Sequence, residues 1–101
     1  MTLTYKHKGI VTTVIDVNYK LKTVKIKNFD SDPVNLAFGI NLTPTFEDFE
    51  AFLESRCFPR QRDFMKLHLK ELGLDYYDPL SIIRKTKGHL AGDYFELEIE
   101  D

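Results

Sequence analysis

Residues 2–28 read as extended chain, and their last segment, Leu21 to Asn28, is written in a period of two that implies one buried face. Residues 2–8 read as a short strand, with His7-Lys8-Gly9 as the turn that closes it. From Ile10 to Val17 the residues Val11, Thr12, Thr13, Val14, Ile15 and Val17 are β-branched, and their stiff side chains suit a pleated surface. Asn18-Tyr19-Lys20 can turn the chain, and Leu21 to Asn28 alternates. Lys22, Val24 and Ile26 fall on one parity, with Thr23, Lys25 and Lys27 on the other. Three such strands joined by short turns predict an antiparallel meander. Asp93 to Asp101 repeats the rule, with Phe95, Leu97 and Ile99 inward and Glu96, Glu98 and Glu100 outward. This last strand is expected to return to the opening sheet. Its glutamates would then sit beside the lysines of residues 20–27, where opposite charges fix register.

Between these segments the period changes. Asp30-Ser31-Asp32-Pro33 ends the sheet, and residues 34–43 read as a loop with Phe38 and Ile40 pinned inward. Thr45 is a hydroxyl cap for a helix whose first turn carries Glu47 and Asp48. Phe46, Phe49, Phe52 and Leu53 make one apolar stripe, with Glu47, Asp48, Glu50 and Glu54 on the remaining arc. Pro59 stops this helix and opens a second, expected to run to Leu72 with Gly73 as its left-handed cap. Phe64, Met65, Leu67, Leu69 and Leu72 form its apolar arc, and Arg62, Lys66 and Lys70 an exposed basic stripe. Asp78-Pro79 opens a third, short helix through Leu80, Ile82 and Ile83 to Gly88. The expected architecture is one α+β domain over residues 1–101. An antiparallel sheet of three N-terminal strands plus a C-terminal strand carries three short helices packed on one face.

Composition adds limits. With 101 residues the chain suits one domain, and 43% apolar with 30% charged residues suits a folded globule. No stretch approaches the roughly 18 apolar residues that span a bilayer, so no membrane partner is expected. The single cysteine, Cys57, allows no intrachain disulfide, in keeping with a reducing cytoplasm. The net charge of −2 hides segregated blocks. Residues 1–29 and 59–89 are basic, whereas 30–58 and 90–101 are acidic. Such blocks either face one another in the fold or steer a charged partner.

Chemistry-bearing patterns are sparse. His7, His68, His89 and Cys57 lack ligand spacing, which excludes the usual metal sites. Gly88 and Gly92 do not form a phosphate loop, and Cys57 before Phe58-Pro59 reads as an ordinary core thiol. No catalytic residue, metal or cofactor is assigned. The conspicuous constellation is Arg56-Cys57-Phe58-Pro59-Arg60-Gln61-Arg62, followed by Lys66 and Lys70. Three arginines around an expected helix start oppose the helix dipole, and their forks suit phosphate or carboxylate. The competing reading is internal pairing with the acidic first helix or with Asp75 and Asp78. Arg84-Lys85-Thr86-Lys87 makes a second basic run, at a helix C-terminus where the dipole favours cations. The candidate partner-binding set is therefore Arg56, Arg60, Arg62, Lys66, Lys70, Arg84, Lys85 and Lys87.

Residues 41–100 also resemble a family of small Firmicutes proteins associated with mobile elements. The carrying residues are Pro44 to Phe49, Phe52 to Arg60, Arg62, Met65 to Leu67, Leu72 to Leu74, Tyr77 to Pro79, Ile82-Ile83, Lys85-Thr86 and Gly88. Where that family closes on an acidic-aromatic strand ending in Trp-Ile, this chain has Tyr94-Phe95-Glu96-Leu97. The resemblance implies a non-enzymatic regulator that binds a host protein or nucleoprotein complex, such as a CRISPR effector nuclease or another defence enzyme, and inhibits or modulates it in an anti-CRISPR-like manner. An alternative is a nucleic-acid-binding accessory protein using Arg60, Arg62, Lys66, Arg84, Lys85 and Lys87, although free duplex suits an acidic chain less well. A looser similarity of the arginine-proline segment to HipA-like kinase proteins implies a toxin–antitoxin component.

Overall fold

The structure is a computed structural model that describes residues 1–61 and 63–101. It is α+β, with strands β1 (Thr2–His7), β2 (Ile10–Asn18), β3 (Thr23–Asn28) and β4 (Phe95–Glu100). Helices α1 (Phe46–Ser55), α2 (Met65–Glu71) and α3 (Pro79–Thr86) lie between β3 and β4 in sequence, after a 3₁₀ turn at Pro33–Asn35. All strand pairs are antiparallel, in the order β3-β2-β1-β4.

One face of the sheet is buried under the helices. Leu3, Tyr5, Ile15, Val17 and Leu97 meet Phe46, Phe49, Phe52, Leu53, Leu69, Ile82 and Ile83 in a continuous core. The period of two explains the sheet's share, and the stripe of α1 explains the phenylalanines. Thr45 caps α1 as its spacing predicts. Its hydroxyl accepts from Asp48 N–H at 3.1 Å, and its own N–H donates to the Asp48 carboxylate at 2.9 Å. A bulge between Tyr5 and Lys6 leaves Thr12 without a β1 partner across the ladder, and its hydroxyl donates to Tyr5 O. No helix among the described residues is long and apolar enough to cross a membrane.

Four expectations change. β3 and β4 are opposite edges of the sheet, so the glutamates of β4 do not lie beside the lysines of residues 20–27. They face β1 instead, where Lys6 Nζ reaches Glu98 Oε1 at 3.0 Å. Ile40 is 86% exposed, whereas Phe38 packs on Phe52 as expected. The second helix is only seven residues long and does not start at Pro59. Its cap, Phe64, adopts a left-handed backbone (φ 60°), which stops helical propagation toward the N-terminus. Phe64 is also 78% exposed and no part of an apolar face.

Candidate partner-binding surface

Arg56 is not a surface residue. It is 6% exposed, and its guanidinium donates twice to Gly88 O (3.2 and 2.8 Å) and twice to the Asp93 carboxylate (2.9 and 3.2 Å). Its Cζ lies 5.7 Å from the Tyr5 ring centre and 5.5 Å from that of Phe95. Four guanidinium hydrogen bonds go to Gly88 O and the Asp93 carboxylate, so Arg56 is an internal strut joining the end of α1 to the segment between α3 and β4. The sequence carried the signal. Arg56 follows Phe49, Phe52 and Leu53 by seven, four and three residues, the spacing of the buried stripe. The Arg56 bonds hold the Asp93 carboxyl below its ordinary pKa, with desolvation acting in the opposite sense.

Arg60 is half exposed and already engaged. It pairs with Glu54 of α1 and lies 4.4 Å from the Tyr77 ring centre. Arg84 pairs with Asp101 at 2.6 Å at the surface. Arg62 lies outside the described residues. With α2 beginning at Met65, Arg56 and Arg60 do not stand at a helix N-terminus, and the dipole does not oppose them.

Of the eight candidate partner-binding residues, four are exposed and make no ion pair with any described residue: Lys66, Lys70, Lys85 and Lys87. On α2 the exposed residues Lys66, Leu67, Lys70 and Glu71 occupy a contiguous arc of about 140° at about 100° per residue. Leu67, 53% exposed, stands within that arc, and Phe64 precedes the helix. Leu69 on the opposite side is buried and anchors the helix to the core. Lys85 and Lys87 flank the last turn of α3, where Lys87 takes a left-handed conformation and its carbonyl accepts from Leu97 N–H at 2.7 Å.

The Cys57 thiol is buried, with Sγ 3.4 Å from Leu53 O and 3.7 Å from Pro79 O. Desolvation pushes its pKa up to about 11, which keeps it protonated and a poor nucleophile. Tyr77 donates to Phe58 O at 2.6 Å, and burial raises its pKa to about 12. His89 meets Phe95 O and stands 4.0 Å from Glu96. Among the described residues, no group of three or more His, Cys, Asp or Glu could hold a metal ion. What the residues bring together is a surface of exposed apolar side chains beside lysines that make no ion pair with any described residue. No family model, curated protein or solved structure matches the chain.

Proposed function

We propose that this chain is a non-enzymatic binding protein that regulates a larger host complex by protein–protein contact through the exposed arc of α2. The observation that carries this reading is Leu67, 53% exposed between Lys70 and Glu71 on the α2 surface, with the 78% exposed Phe64 just before the helix. Interfaces combine an apolar centre with a charged rim, and the α2 arc places Leu67 beside Lys70, Lys66 and Glu71. Lysines without internal partners can meet acidic groups of the other protein at no cost to this fold. The resemblance of residues 41–100 to mobile-element proteins favours a host defence assembly as that complex.

The test is affinity purification from a Firmicutes host carrying such a system, with identification of the captured complex and its activity measured with and without the protein. Leu67→Glu combined with Lys70→Glu should abolish capture and modulation with an unchanged melting curve. Lys66→Glu with Lys70→Glu, which leaves both apolar residues in place, should weaken capture. Full capture by both folded variants overturns the reading. Binding to plain duplex DNA that falls steeply with salt and is lost in the lysine variant would replace it with the nucleic-acid alternative.

A further inference from the structure

The two edges of the sheet are protected in different ways. The phase of each ladder follows from its flanking bonds. Phe29 N–H donates to Thr12 O, so in the β2–β3 ladder Lys27, Lys25 and Thr23 point their backbone groups toward β2. Val24, Ile26 and Asn28 then direct their N–H and C=O groups away from the sheet. At the opposite edge, Lys8 N–H donates to Tyr94 O, which turns the backbone of Phe95, Leu97 and Ile99 outward in the same way.

On β4 the first half of that outward row is occupied. Leu97 N–H donates to Lys87 O at 2.7 Å, Phe95 N–H to the Asp93 carboxylate at 3.2 Å, and Phe95 O meets His89 Nδ1 at 3.1 Å. The chain between α3 and β4 thus closes much of that edge. On β3, no hydrogen bond to the outward groups of Val24 or Ile26 is made by any described residue. Only charge guards it. Lys25 and Lys27 are exposed on the open face of the sheet, and Lys22 lies just before the strand. Lysines on an edge repel a neutral or basic strand and leave the edge open to an acidic one. The half-buried Val24 and Ile26 face the helix side, and exposed Leu21 (68%) and Phe29 (55%) bracket the strand.

We propose that the β3 edge is a strand-docking site for an extended acidic segment of a partner protein, one that alternates Asp or Glu with Val or Ile. Added antiparallel, its apolar residues form hydrogen-bonded pairs with Val24 and Ile26. Its carboxylates fall opposite Lys25 and Lys27 at non-hydrogen-bonded positions, where facing side chains approach most closely. This chain's own β4 has the same alternation, but its outward groups from Phe95 N–H to Leu97 N–H are taken, leaving only Leu97 O and the two groups of Ile99, too short a ladder for a second copy. The site is independent of the α2 surface.

The probe is a capped nonapeptide of alternating glutamate and valine, titrated into the ¹⁵N-labelled full chain. The amide signals of Val24, Ile26 and Asn28 should shift saturably and exchange more slowly with solvent, while those of Ile99 stay in place. Raising NaCl from about 20 to about 500 mM should weaken binding several-fold, because the Debye length contracts. Lys25→Glu with Lys27→Glu should weaken binding of the glutamate peptide about tenfold or more and gain binding of a lysine–valine peptide. If that variant does not fold, Lys25→Thr with Lys27→Thr removes the charge with a good strand former, and binding should fall less steeply. The Leu67→Glu/Lys70→Glu variant should bind the peptide like the wild type, which separates this site from the surface proposed above. The inference is overturned if the shifts appear at Ile99, if none appears at millimolar peptide, or if N-methylation of the peptide's valines leaves binding intact. Concentration-dependent self-association abolished by the β3 charge reversal would also overturn it, since the occupant would then be a second copy.

Discussion

Replacing Arg56 by methionine removes the guanidinium and keeps much of its apolar stem. Two consequences follow for the groups left behind. The Asp93 carboxylate, whose side chain is 32% exposed, regains water. The buried Gly88 carbonyl does not, and an orphaned buried acceptor costs about 1–3 kcal/mol. Loss of the two-pronged contact with Asp93 and of the cation over Tyr5 and Phe95 adds about 1–2 kcal/mol, allowing for the partial exposure of Asp93. The bonds share one side chain and are not additive, so the expected loss is about 3 kcal/mol. At about 4–8 °C per kcal/mol, the melting temperature should fall by about 12–24 °C, measured by circular dichroism and checked by urea titration. The pH dependence supplies a second readout. Because the folded Asp93 pKa is depressed below its ordinary 3.8, its stabilisation is complete above the unfolded value and is lost as pH falls through the folded one. Wild-type stability should therefore decline below about pH 4, and Arg56→Met should show a shallower acid slope. A variant within about 0.5 kcal/mol of the wild type, the ordinary range of a surface change, would refute the strut.

Gly88 adopts φ +67°, and a Cβ there would lie 3.1 Å from Leu97 Cβ, so Gly88→Ala should destabilise by about 1–3 kcal/mol in the same melts. Thr45→Ala should cost about 1 kcal/mol by removing the acceptor for Asp48 N–H, whereas Thr45→Ser should retain most of the cap. The Cys57 thiol, raised to about 11, should resist a disulfide reagent at pH 8 in the folded protein and react at once in denaturant. Rapid modification of the native chain would show that the site opens. Ile83→Ala, at a side chain with no solvent exposure, should cost about 2–5 kcal/mol, with exchange of amides in α3 and β4 accelerating first.

Local physics made much of the architecture readable from the chain alone. A period of two requires one buried sheet face. The spacing of Phe46, Phe49, Phe52 and Leu53 requires one buried helix stripe, and Thr45 with Asp48 sets where that helix begins. Each of these depends on residues within a turn or two of one another. Strand order does not. The alternation of Phe95 to Glu100 is satisfied equally beside β1 or beside β3, and only packing of the helices placed it against β1, with Lys6 as its charged neighbour. The basic run around Arg60 was ambiguous by charge alone, and only the helical spacing of Arg56 from Phe49, Phe52 and Leu53 hinted that one of its side chains points inward. The Gly88 carbonyl and the Asp93 carboxylate, 32 and 37 residues away, turned Arg56 from a surface cation into a core strut. The same long-range closure occupied half of one sheet edge with the Lys87 carbonyl, the His89 ring and the Asp93 carboxylate, and left the other guarded by lysines alone. Backbone hydrogen-bonding capacity is identical at every non-proline position, so the sequence determined which strands could form, and only the tertiary structure decided which edge would stay open.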